Sequence, residues 1–182
     1  YQKVNGSVYS DVAHLGSFQK LLDKCLDFWI ADNLDSLDSE LFDKRCFNFY
    51  HEKTYERIRL FYSRFDRSDS IRILNGIPVL SCSDLLASID WNWLCAGKPG
   101  RFHGDFHFEN IIYSENKDFI FIDWRQDFAG DLLIGDIYYD LAKLMHGLLV
   151  SHNMIVQNNF NVEWSFDTAV FDIHRKQSLV EC

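Results

Sequence analysis

The sequence is short of the residues that mark several common protein classes. It has two prolines in 182 residues, Pro78 and Pro99, and both fall outside the helical patterns. Its five cysteines, Cys25, Cys46, Cys82, Cys95 and Cys182, are odd in number and form no CxxC pair. That argues against a disulfide framework or a structural zinc site and fits a reducing cytoplasm. No apolar run approaches the ~20 residues of a membrane span, and there is no charged-then-apolar leader. Basic residues are outnumbered, 18 against 27 acidic, for a net charge of -9. A chain so acidic lacks the basic face that nucleic-acid phosphates require. The charge serves solubility first and is compatible with a cationic small substrate second. What the sequence has instead is apolar mass, with 47% hydrophobic and 16% aromatic residues, including 16 Phe. That composition predicts a packed globule. The length suits one domain, or one large lobe of a two-lobed protein.

The chain opens at Tyr1 in mid-pattern and closes on RKQSLVEC, which reads as the first turns of a helix. These ends predict a fragment of a longer protein, cut on both sides. Residues 1–16 are mixed and polar and predict a connecting segment, with the folded unit over 17–182. Ser17 is placed to cap a helix to about residue 31, with Phe18, Leu21, Leu22, Cys25, Leu26 and Trp29 on one face. A second helical pattern runs over 39–65 with a wide aromatic face, which favours helix packing over a ligand groove. Asn75-Gly76 predicts a hairpin turn between two short apolar runs. A third helix is expected over 84–95, capped by Ser83, and a fourth within GDIYYDLAKLMHGLLVSH. Beyond Asn153, one or two short extended pieces are expected.

The stretch 101–127, RFHGDFHFENIIYSENKDFIFIDWRQD, concentrates the chemistry. A polar loop leads into a short strand, Ile111-Ile112-Tyr113, then a turn, then a second strand that ends on Asp123. Paired as a hairpin, the strands bring Asp105 and Asn110 close to Asp123. Phosphoryl transfer to a hydroxyl needs the acceptor placed, its proton accepted, and the phosphate charge neutralised by a divalent metal. Asp105 can orient a hydroxyl and take its proton. The amide oxygen of Asn110 and the carboxylate of Asp123 are hard ligands suited to Mg²⁺.

HGDFHFENII followed by FIDW resembles the aminoglycoside phosphotransferase and choline kinase family, which has the protein-kinase-like fold. The matching residues are His103, Gly104, Asp105, His107, Asn110, Ile122, Asp123 and Trp124. A second family motif follows in order and spacing as Gly135, Asp136, Tyr139, Asp140, Leu141 and Ala142. The resemblance implies an α+β, mainly α, C-terminal lobe with a catalytic β-hairpin, the N-terminal lobe being absent. It implies Asp105 as base, Asn110 and Asp123 as metal ligands, and ATP as co-substrate with Mg²⁺. His103 and Asp140 would support the loop, and His107 would pack or contact the acceptor. The family's Gly-rich strand-loop-strand and its phosphate-pairing Lys are not visible here. The expectation is therefore a kinase whose nucleotide-covering lobe lies elsewhere in the protein, these residues alone being inactive. Acceptors of such an enzyme include sugars, amino alcohols such as choline, and aminoglycosides. Asp127 and Asp131, close after Asp123, hint at a cationic one.

Taken singly, each acid could be a turn or cap residue; order and spacing together carry the reading. Two alternatives stand beside it. His103-x-Asp105-x-His107 on one face of a strand could bind metal for a hydrolase, with His146, His152 and His174 as further ligands. A non-catalytic kinase-like binding module is the other, although the presence of Asp105, Asn110 and Asp123 argues against a decayed site.

Overall fold

The computed structural model describes residues 4–30, 34, 37–150 and 155–173. Gly6–Val8 forms a strand (β1), followed by the helical turn Tyr9–Val12 (α1) and the helix Leu15–Phe28 (α2). Within the connecting segment expected over 1–16, residues 6–12 thus form a strand and a helical turn. β1 pairs antiparallel with the central hairpin, Val8 opposite Ile112. The reason is Tyr9, which is fully buried. Its ring lies 5.0 Å from Phe108 and 5.4 Å from Phe119, and its hydroxyl meets Ser17 Oγ at 3.1 Å.

α2 starts three residues earlier than Ser17 predicts. His14 is the N-cap: its Nδ1 accepts from the Ser17 N–H, and Ser17 Oγ accepts from the His14 N–H. Ser17 is therefore the far partner of a reciprocal capping box rather than the cap itself. Leu21, Cys25 and Phe28 form the buried stripe.

The long aromatic helix is three pieces, Ser39–Phe47 (α3), a π turn over Asn48–Glu52, and Lys53–Arg64 (α4). The wide turn brings Phe49 and Tyr50 both against Tyr139, with ring centroids 5.0 and 6.1 Å apart. The aromatic face thus packs, as its periodicity suggests, but through a π turn that periodicity does not reveal.

Ile73–Leu74 (β2) and Ile77–Pro78 (β3) form the small hairpin, with Asn75 at φ 51° and Gly76 at φ 79° in its turn. The third helix is broken into Cys82–Ala87 (α5) and Trp91–Leu94 (α6). Ser81 rather than Ser83 caps α5, and Asp90 accepts from Trp93 N–H to cap α6. Pro99–Gly100 (β4) precedes the polar loop and a 3₁₀ turn, Phe108–Asn110. Ile111–Ser114 (β5) and Phe119–Phe121 (β6) form the central hairpin in the register Ile111 opposite Phe121. Gly135–Asp136 (β7) pairs with β4 and opens the helix Ile137–Leu149 (α7). Phe160–Trp164 (β8) and Thr168–Ile173 (β9) form a hairpin, and β9 runs parallel to β2. The sheets have the strand orders β1-β5-β6, β3-β2-β9-β8 and β4-β7.

The fold positions the polar loop by pinning it between two cores. One gathers Tyr9, Leu21, Phe28, Trp29, Phe106, Phe108 and Ile111. The other gathers Phe42, Cys46, Phe49, Phe102 and Phe128. Phe102 enters one core while Phe106 and Phe108 enter the other, so the polar residues between them have little freedom. α7 is set by the buried carboxylate of Asp136, which accepts from Lys98 N–H, Tyr138 N–H and the Tyr50 hydroxyl. Among the described residues, no helix is long and apolar enough to cross a membrane. The expected C-terminal helix over RKQSLVEC lies outside the described residues.

Candidate active site

The site is built around a turn that only glycine fits. Gly104 has φ 80°, and a Cβ there would lie 2.5 Å from Arg125 Cβ and 2.8 Å from the Phe102 ring. On either side of this turn, the N–H groups of His103 and Gly104 donate to the Asp140 carboxylate at 2.7 and 2.8 Å. Trp29 Nε1 donates to the same carboxylate at 3.1 Å. Asp140 is fully buried, and burial pushes its carboxyl above the usual range against the pull of these donors.

His103 is also fully buried. Its Nε2 donates to Ile122 O at 2.7 Å, and its Nδ1 accepts from Asp105 N–H at 3.3 Å. Its ring stacks on Phe106 at 5.0 Å. Burial holds the imidazole down to about 4, so it stays neutral at physiological pH and works as a strut between loop and hairpin.

This strut has a testable consequence. Unfolded His103 titrates near 6.5, while the folded state resists its protonation down to about 4. Its contribution is therefore complete above the unfolded value and is lost as pH falls through that window, in total on the order of 3 kcal/mol. Asp140, with its raised carboxyl, works in the opposite sense. Wild-type chain should melt progressively lower between pH 6.5 and 4, and His103→Asn should flatten that slope. Parallel melting curves for the two would remove the strut.

Asp105 sits where the loop reaches solvent, its side chain 43% exposed. Lys143 Nζ lies 2.7 Å from Oδ1, and His107 Nε2 lies 3.3 Å from Oδ2. Asn110 Nδ2 donates to Asp105 O at 2.9 Å and to its Oδ2 at 3.2 Å. Partial burial raises this carboxyl, but the Lys143 bond and charge, with His107, outweigh it and hold it below the ordinary range. His107 Nδ1 meets Glu109 Oε2 at 3.0 Å, so its ring bridges two carboxylates.

Asp123 joins this group through the backbone. The preceding Ile122 N–H donates to Asn110 O at 3.0 Å, and Arg125 N–H donates to His103 O at 2.8 Å. Asp123 itself lies in the left-handed region at φ 56°, which Asp tolerates better than most residues. Among the described residues, its carboxylate accepts no hydrogen bond.

Of the residues singled out by sequence, His103, Asp105, His107, Asn110 and Asp140 thus form one bonded group, with Asp123 beside it. Asp127 is not bonded to that group. It closes its own turn by accepting from Gly130 N–H at 3.0 Å. Asp131 is engaged elsewhere, in a 2.6 Å ion pair with Arg45. Among the described residues, the metal-hydrolase geometry is not found. Residues 103–107 form no strand, and both ring nitrogens of His103 are occupied. Among the described residues, no three His, Cys, Asp or Glu side chains converge to hold a metal ion. His152 and His174 lie outside the described residues. Sequence reasoning missed Lys143. Its place one helical turn after Asp140 on α7 was the available signal.

Loop, hairpin and following helix carry the residues on which the resemblance to a phosphotransferase family rests, and comparison with known families agrees. The model of the phosphotransferase enzyme family, APH, matches residues 42–164, more than half of the chain. The chain belongs to that family. No curated protein and no solved structure matches it.

Proposed function

We propose that this chain is the catalytic C-terminal lobe of an ATP- and Mg²⁺-dependent phosphotransferase acting on a hydroxyl of a small molecule. The observation that supports it best is the gathering of Asp105, Asn110 and Asp123 at the open end of the β5–β6 hairpin. In this reading Asp105 orients the acceptor hydroxyl and takes its proton. Its carboxyl, held below the ordinary range beside Lys143, is ionised and able to accept. Bound Mg²⁺-nucleotide supplies the phosphoryl group and the charge neutralisation.

The donor set fits that metal. The Asn110 amide nitrogen is spent on Asp105, which leaves its oxygen as the free end. With the carboxylate of Asp123, which accepts no hydrogen bond among the described residues, it makes a pair of hard oxygen ligands. His103 and Asp140 hold the loop in shape and do no chemistry. His107, between Asp105 and Glu109, orients the base and borders the acceptor's place. A nucleotide-covering lobe outside these residues completes the cleft.

The test is calorimetric titration of Mg-ATP into this chain and into the protein extended at its N terminus. The expected result is weak or no binding to the chain alone, and saturable binding to the extended protein that Asp123→Ala removes. Absence of nucleotide binding in both, with a transition metal tightly held instead, would overturn the proposal.

A further inference from the structure

The chain carries an excess of negative charge, yet cations gather at the Phe49 and Tyr139 rings, among them Lys143, the ion-pair partner of Asp105. Lys53, the first residue of α4, places Nζ 4.0 Å from the Phe49 ring centre and 5.9 Å from that of Tyr139. Arg125 lies 5.2 Å from the Phe49 ring centre, and Lys143 lies 6.0 Å from that of Tyr139. Two perpendicular rings, their centres 5.0 Å apart, are thus bordered by three cations. Arg57 follows Lys53 by one turn of α4 and adds its charge. Asp127 is the anion that acts on Lys53, and Asp105 is already paired with Lys143.

Lys53 is the unusual member. Its ammonium nitrogen is buried and has no hydrogen-bond partner among the described residues. Burial, then the charges of Arg125, Arg57 and Lys143, hold it down to about 8, with Asp127 pulling the other way. A buried ammonium normally finds a carboxylate or carbonyl. Here ring faces supply part of the stabilisation, and the N–H donors remain unused. The neighbouring π turn, Asn48–Glu52, is the kind of local irregularity that helices keep at functional positions.

We infer that Lys53, with Arg57, Arg125 and Lys143 around it, forms an oxyanion subsite beside Asp105, and that the phosphoryl acceptor is a hydroxyl compound carrying a carboxylate or phosphate group. The inference rests on the phosphotransferase reading for the acceptor's role, but the subsite itself does not. An oxyanion satisfies the Lys53 donors, offsets the mutual repulsion of the cations, and fixes the acceptor hydroxyl near Asp105. It also reverses the hint from composition, because Asp131 is bound to Arg45 and Asp127 closes a turn.

Inorganic phosphate is the probe, titrated calorimetrically into the 182-residue chain without divalent metal. Saturable binding is expected, weakened about tenfold or more by Lys53→Met. Arg57→Gln, an exposed change that leaves the core intact, should weaken it less. Ethanolamine, a cationic control, should not bind. The nucleotide's phosphates are the other source of the same chemistry. Phosphate binding unaffected by Mg²⁺ and retained in Asp123→Ala assigns the subsite to the acceptor. Binding that requires Mg²⁺ and disappears in Asp123→Ala assigns it to the nucleotide and overturns the inference. So does a failure to bind phosphate, or equal binding by wild type and both cation variants. Loss of the Mg-ATP result with phosphate binding intact would overturn the phosphotransferase reading alone.

Discussion

Asp105→Asn should abolish nearly all acceptor-dependent release of ADP by the N-terminally extended protein while leaving its melting temperature close to wild type. The first part follows from the role proposed for the carboxylate. A positioned general base contributes ~10²–10⁴-fold, and an amide cannot take the acceptor's proton. Loss of about a thousandfold in kcat is the expected size. The second part follows from exposure. The Asp105 side chain is 43% exposed, and its partners Lys143 and His107 are partly exposed too. Ion pairs in such surroundings contribute ~1 kcal/mol at most. Asn keeps the shape of Asp and an oxygen able to accept from Lys143. Mg-ATP affinity should also change little, because Asn110 and Asp123 are untouched. Turnover within tenfold of wild type would remove Asp105 as the base. Loss of folding would show that the loop relies on this charge far more than its exposure implies.

Much of this arrangement is legible in sequence because it is local. The span from Asp105 to Asp123 is 19 residues, and it contains its own hairpin. Apolar runs around a polar turn predict the hairpin, and the hairpin sets Asn110 against Ile122, the residue before Asp123. α7 is legible for the same reason, since one periodic face and an Asp cap define it. Two other features depend on distant partners. β1 is three residues of no distinctive pattern, and its partner Ile112 lies more than a hundred positions away. Nothing local marks Val8 as strand; the burial of Tyr9 beneath the hairpin does. The π turn at Asn48–Glu52 is hidden because its aromatic residues continue a helical pattern. Its cause is the demand that Phe49 and Tyr50 both reach Tyr139.

The site itself was partly legible. The motif residues stand out by order and spacing, but the residues that set their charge do not. Lys143 reads in sequence as one more polar residue of α7, and Lys53 as a surface lysine of an aromatic helix. Each acquires meaning only when α4, α7 and the hairpin come together. The possible metal cluster of His103, Asp105 and His107 failed for a related reason. It required a strand, and the left-handed turn at Gly104 sends His103 into the core instead.

The largest effect on stability is expected from Asp140→Ala. Its carboxylate accepts from three donors, the N–H groups of His103 and Gly104 and the indole of Trp29. All three bonds are buried, so truncation leaves three donors without a partner. Each unsatisfied buried group costs ~1–3 kcal/mol. Some of that is returned, because burial already disfavours the ionised carboxyl. A net loss of roughly 4 kcal/mol is expected, a large part of the ~5–15 kcal/mol that stabilises a typical domain. Asp140→Asn separates charge from hydrogen bonding. It keeps one acceptor oxygen and turns the other position into a donor facing donors, so it should lose about half as much. The readouts are the urea midpoint and the hydrogen exchange of the His103 and Gly104 amides. Exchange should accelerate at those two amides in both variants, and before global unfolding in Asp140→Asn. An unchanged midpoint in Asp140→Ala would mean that the 101–110 loop is held by its aromatic anchors, Phe102, Phe106 and Phe108, rather than by the carboxylate beneath it. The two mutations then separate the roles. Asp105 governs turnover with little effect on stability, whereas Asp140 acts on turnover only through the loop that it holds.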